Sequence, residues 1–246
     1  MKRNNLIYIL FLAIFGIVGG YFTALYTIEM MDSSALEEII AQVGSIDAVI
    51  IITVLQSFIY SLALGLIGRA ISRRIGLWRE LTLEPKPVVI TAVTSLVGGV
   101  IFILADALLF ARLIPPVMES YLVKPTLNYV IASITYGGVV EEVMLRLFFM
   151  SLIALIISKL SKGKTVTDTH IIIANVLSAL LFAAGHIPAT VQSIGISPII
   201  ILRCFLMNGG FGLIFGRMYR KYGIQYAMLT HAGVHIVSKL IWILFI

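Results

Sequence analysis

Residues Gly137–Met150 read GGVVEEVMLRLFFM. Two adjacent glutamates, Glu141 and Glu142, and one arginine, Arg146, interrupt a run that is apolar from about Thr126 to Ser158. That run exceeds the roughly 20 residues a helix needs to cross a bilayer. A charge at the centre of a membrane helix costs roughly 2.5–3.5 kcal/mol on insertion scales, so three charges within six positions require a reason. Helical spacing lets Glu142 and Arg146, four apart, face each other as an ion pair. Glu141 is rotated about 100° away and has no partner of its own along the helix. An intramembrane acid without a counter-ion is a functional candidate. For Glu142 and Arg146 a purely structural ion-pair cluster between helices is the competing reading.

The rest of the chain shares this solvent. Of its 246 residues, 60% are hydrophobic and 12% charged, with a mean hydropathy of +1.05. Soluble domains carry about twice that charge. Seven apolar runs predict an all-α, polytopic membrane bundle of about seven spans. These are roughly Leu6–Ile28, Ile46–Gly68, Pro87–Ala111, Thr126–Ser158, His170–Ile187, Ile199–Tyr219 and Tyr226–Ile246. The first run is long for a signal peptide and lacks a small-x-small cleavage pattern, so it reads as a retained helix. No repeat or low-complexity linker divides residues 1–246, which read as a single domain.

The net charge of +6 points to cytoplasmic loops rather than to nucleic acid. Lys2 and Arg3, then Arg69, Arg73, Arg74, Arg79 and Lys86, then Lys159, Lys162 and Lys164, and finally Arg217, Arg220 and Lys221 all fall on the N-terminal side of the alternating spans. The loop with Glu29, Asp32, Glu37, Glu38 and Asp47 falls on the other side. The expectation is a multi-pass protein of the cell membrane with a cytoplasmic N-terminus and the bilayer as its surroundings. Met31–Val43 and Ala70–Leu83 have amphipathic spacing, with ordinary solvated loops the preferred alternative. Asp106, in the third span, is expected to pair structurally with an arginine of another helix.

Further polar groups lie in the last three spans. Phe182-Ala-Ala-Gly-His186 carries a histidine into the fifth. His231 and His235, four apart in the seventh, project from one helix face. That spacing suits two metal ligands, but the glutamate of the zinc-protease motif is missing from His231-Ala-Gly-Val-His235. Ala232 and Gly233 permit close helix approach, as do Gly212 and Gly216 in the sixth span; Asn208 lines a cavity or bonds a neighbouring helix. Cys204 excludes a disulfide framework and reads as a small hydrophobe. His170 reads as interfacial. Glutamate and histidines gathered at one wet cavity can activate water and stabilise an oxyanion. No serine or cysteine is recognisably paired with a base for covalent catalysis.

Three stretches in order resemble the CPBP family of CAAX-type proteases and bacteriocin-processing or immunity enzymes. Glu141-Glu142-Val-Met-Leu-Arg146 resembles its EExxxR motif, and Phe182–His186 its FxxxH motif. His231–His235 falls where the family has a histidine followed four residues later by asparagine or a similar polar residue. The resemblance covers about Val130–Val237 and places a catalytic core at about 126–246.

It implies an intramembrane endopeptidase acting on a peptide or membrane-protein substrate, prenylated or not. Glu141 would activate water with help from His186. His231 and His235 would form the oxyanion site, with Glu142 and Arg146 in support. No cofactor is favoured. The alternatives are a zinc-dependent version, with metal on His186, His231 and His235, and a non-catalytic scaffold or immunity-type protein; a transporter is disfavoured by the lack of inverted repeats. One tension stands: these boundaries put His186 and His231 near opposite ends of their helices. Relief requires tilt, shifted boundaries, or a break in the fourth span near Arg146.

Overall fold

A computed structural model describes residues 3–161 and 165–246, the side chains of Arg3 and Asn4 excepted. Lys2, Lys162 and Lys164, which enter the charge alternation, lie outside the described residues, as does the Arg3 side chain. The described residues form nine helices: α1 Arg3–Met30, α2 Ser33–Val43, α3 Ile46–Arg74, α4 Pro85–Leu113, α5 Pro115–Tyr121, α6 Leu127–Leu160, α7 Asp168–Ile194, α8 Pro198–Tyr222 and α9 Ile224–Phe245. All but α2 and α5 are long and apolar enough to cross a membrane, seven spans among the described residues. The architecture is an all-α polytopic bundle, as the hydropathy predicts.

Local sequence sets the boundaries. Ser45, Thr126, Thr167 and Ser197 accept backbone N–H bonds at the starts of α3, α6, α7 and α8, satisfying donors a helix start leaves open. Gly223, at φ 111°, makes the sharp turn from α8 into α9. The segment Ser33–Val43 is a helix rather than the preferred loop. Asp32 caps it by accepting from the Ala35 amide at 2.8 Å. Of Ala70–Leu83, the first five residues continue α3 to Arg74 and the rest is non-helical.

The fifth span overruns its expected end at Ile187. The helix passes through Pro188 and stops at Gly195, whose φ of 79° suits glycine and whose amide bonds Val191. Proline removes only one ladder bond. Seven further residues of helix place His186 roughly two turns inside its end, which lessens the mismatch in depth with His231.

Helix α6 is the hub, touching α1, α3, α7, α8 and α9. It does not break near Arg146. It runs on through two stretches of wide, π-type turns, Ser133–Glu141 and Val143–Met150, a feature frequent at functional sites. Close approach sets its neighbours. A methyl at Gly138 would stand 2.7 Å from the Ala232 Cβ, and one at Gly68 2.8 Å from the Leu147 backbone. Gly212 and Gly216 face Ala179 and Asn175 of α7, as their spacing predicts.

One apolar core, with Leu12, Val143, Leu147, Met150 and Tyr219, lies towards the basic end of the bundle. A second, with Ile103, Phe110, Val117 and Met207, lies at the other. Asp106 belongs there and receives Arg203 of α8 through two bonds of 2.6 and 2.7 Å. The Tyr121 hydroxyl donates to the same carboxylate at 2.9 Å. Burial, and then that carboxylate, hold the Tyr121 phenol well above its ordinary range, so it remains a donor. This is the structural pairing expected of Asp106.

Candidate active site

Between the two cores, α6, α7 and α9 bring their ionisable groups together. The two glutamates diverge as adjacent helical residues must. Glu142 and Arg146 face inward and are fully buried, with Arg146 Nε 3.4 Å from Glu142 Oε2. Arg146 Nη2 donates to the Gly212 carbonyl at 3.1 Å. Its guanidinium lies 4.7 Å from the centre of the Phe182 ring and 5.8 Å from that of Phe215, a favourable placement for a delocalised cation. The other carboxylate oxygen of Glu142 lies 2.9 Å from His231 Nδ1. A buried chain therefore runs from Arg146 through Glu142 to His231, whose ring stacks on Phe215 with centroids 4.2 Å apart.

Glu141 faces the other way and keeps 17% of its side chain exposed. Its Oε1 lies 3.8 Å from Nε2 of His186, which is 35% exposed. That gap exceeds a direct hydrogen bond and leaves both atoms able to bind one water molecule. His186 Nδ1 lies 2.8 Å from the Phe182 carbonyl, which can only accept, so the ring donates through Nδ1. Neutral His186 thus turns an unprotonated Nε2 towards Glu141. His231, bonding a carboxylate through Nδ1, likewise leaves Nε2 as the unprotonated nitrogen of a neutral ring.

The fourth predicted residue, His235, is half-buried, and its ring lies 4.9 Å from that of His231. A methyl built on Gly137 would stand 3.2 Å from His235 Nε2 and 3.8 Å from Glu141 Oε2. Gly137 therefore lies between these two groups, and any side chain there would crowd His235. All six residues singled out for the site, Glu141, Glu142, Arg146, His186, His231 and His235, lie in one neighbourhood. Asn208 does not join them; its amide donates to the Cys204 carbonyl of its own helix at 3.1 Å. His170 sits at the exposed start of α7, in a reciprocal cap with Thr167. Cys204 is buried and free.

One group was missed by the sequence reading. Lys239, four residues beyond His235, is 3% exposed, and its Nζ lies 3.2 Å from His235 Nδ1. It could have been found by the criterion that exposed Glu141: a charge inside an apolar span.

The residues do not fit a three-histidine zinc site. Among the described residues no three His, Cys, Asp or Glu side chains converge closely enough to hold a metal ion. His235 Nδ1 is engaged by Lys239, and an ammonium beside a ligand opposes a divalent cation.

Fold and site together define a polytopic membrane protein with an acid–histidine cluster enclosed by its spans. Residues 123–237 match the family model described as type II CAAX prenyl endopeptidase Rce1-like. This is the region whose three motifs resemble the CPBP family. Comparison with curated proteins gave no match, and comparison with solved structures gave none.

Proposed function

We propose that the protein is an intramembrane endopeptidase in which Glu141 activates water. The observation that carries this reading is the 3.8 Å separation of Glu141 Oε1 and His186 Nε2, both partly exposed above a fully buried Glu142–Arg146 pair. A water held between them donates one hydrogen to each and keeps its oxygen lone pairs free to attack. The match of residues 123–237 to a peptidase family model supports the reaction class.

Water adds to the carbonyl carbon of the scissile peptide, and its proton passes to the Glu141 carboxylate. The carbonyl oxygen becomes an oxyanion, stabilised by a ring N–H of His235. Glu142 fixes the orientation and the Nδ1–H tautomer of His231 beside the site. Protonated Glu141 then gives its proton to the departing amine, and the carbon–nitrogen bond breaks. Two peptides leave, one with a new carboxylate and one with a new amine. The substrate is a peptide or membrane-protein segment that reaches the cavity from the bilayer or its surface. The basic helix ends and loop, with Arg73, Arg79, Arg217 and Arg220, lie on the cytoplasmic side in this reading, following the positive-inside rule.

The test compares membrane proteomes of cells carrying the wild type and Glu141→Ala. At least one membrane-associated protein should persist uncleaved in the variant, and purified wild type should cleave it. Cleavage by purified Glu141→Ala at the wild-type rate would remove the glutamate from the mechanism.

A further inference from the structure

Lys239 is a buried amine that the reaction above does not use. Among the described residues it forms no salt bridge, and the carboxylate of the second core, Asp106, is already taken by Arg203 and Tyr121. Its Nζ has two neighbours: His235 Nδ1 at 3.2 Å, and the face of Tyr129, 4.4 Å from the ring centroid. An aromatic face attracts a cation, so these surroundings suit an ammonium. An ammonium has three donors and no acceptor. His235 Nδ1 must then accept, and the ring proton must sit on Nε2.

Nε2 is the atom nearest Gly137, on the side that also faces Glu141 Oε2. His235 is thereby the opposite of its neighbours, since His186 and His231 are each fixed as Nδ1–H by an acceptor, the Phe182 carbonyl and the Glu142 carboxylate. Three adjacent imidazoles carry two different tautomers, set by three different partners. The formal charges also close. Glu141 and Glu142 are balanced by Arg146 and Lys239, with every imidazole neutral.

We propose that Lys239 is a positioning residue that holds His235 as its Nε2–H tautomer, so that the ring offers the substrate carbonyl a hydrogen-bond donor in place of an asparagine amide. The catalytic half of this statement rests on the hydrolase reading; the tautomer half does not. A neutral histidine free to choose would present a lone pair to the developing oxyanion for part of the time, and would repel it.

The test is ¹⁵N NMR of histidine-labelled, full-length protein in lipid nanodiscs, which separates protonated from unprotonated ring nitrogens. Signals are assigned by their loss in His235→Asn, His231→Gln and His186→Gln. In the wild type, His235 should be protonated at Nε2 while His186 and His231 are protonated at Nδ1. Lys239→Met should shift His235 towards Nδ1–H and leave the other two unmoved, and Lys239→Arg should restore the wild-type pattern. Nδ1–H at His235 in the wild type overturns the proposal, as does an unchanged His235 in Lys239→Met. If Lys239→Met moves all three rings, the variant is misfolded and the wild-type and Lys239→Arg spectra decide. No substrate is needed, so failure here is distinguishable from failure of the hydrolase reading. Once a cleaved peptide is known, Lys239→Met should lower kcat by up to roughly 10²-fold with KM little changed.

Discussion

His231 Nδ1 and Glu142 Oε1 stand 2.9 Å apart, with 4% and 0% of their side chains exposed. This contact ties α9 to α6 at the level of the site and sets the orientation of the His231 ring. Glu142 also faces Arg146, so it neutralises a fully buried guanidinium. Removing one member of a buried pair leaves an uncompensated charge at a cost of about 3–5 kcal/mol. Glu142→Ala should therefore lower the midpoint of an SDS unfolding titration in mixed micelles markedly. A midpoint equal to wild type would show that Arg146 finds another anion.

Glu141 differs although it is the next residue. It is partly exposed, and His186 Nε2 lies 3.8 Å from its carboxylate. Glu141→Gln should leave the same unfolding midpoint nearly unchanged while lowering peptide cleavage by about 10²–10⁴-fold, the usual contribution of a general base. Loss of stability and activity together would assign Glu141 to the structural cluster instead.

The approach of α6 to α9 makes its own prediction. A methyl at Gly138 would lie within 2.9 Å of the Ala232 Cα. Gly138→Val must push the helices apart and stretch the Glu142–His231 contact, at a cost of about 1–3 kcal/mol for overpacking. Activity should fall although no ionisable group has changed. Gly185, next to His186, has nothing within 4 Å of a built methyl, so Gly185→Ala should fold with at least wild-type stability in the same titration.

Metal dependence is open to direct measurement. The donor set offers no three-ligand site, so purified protein should hold well under one zinc per chain and keep its activity after chelation. Stoichiometric zinc, with activity lost to chelators and regained on zinc addition, would require His186, His231 and His235 to close around an ion.

The Asp106–Arg203 pair tests the distinction between a buried acid that works and one that holds the fold. Two bonds from Arg203 and one from Tyr121 satisfy Asp106. Asp106→Ala should lower the unfolding midpoint by an amount equivalent to about 3–5 kcal/mol. Whatever fraction folds should cleave at the wild-type rate per folded molecule.

Much of the fold was legible because a bilayer allows few solutions. Every backbone polar group in it must bond internally, so apolar runs longer than about 18 residues announce helices. The serine and threonine caps are equally local. Misjudged boundaries arose where a local signal was read too strongly. Pro188 suggested a helix end, but the chain sustains helix past one missing bond until Gly195 supplies the left-handed turn.

The ionisable residues of the site were visible singly, because charge in an apolar run is costly and conspicuous. Spacing along one helix also foretold the Glu142–Arg146 pair. What the sequence by itself determined, then, is the number of spans and which side chains lipid would not tolerate. Only the tertiary structure decided which of them meet. It set Glu141 against His186 and Glu142 against His231, and it gave Lys239 to His235. Those pairings depend on how α6, α7 and α9 rotate and approach, and that is fixed by small residues such as Gly138 and Ala232, whose effect exists only between helices.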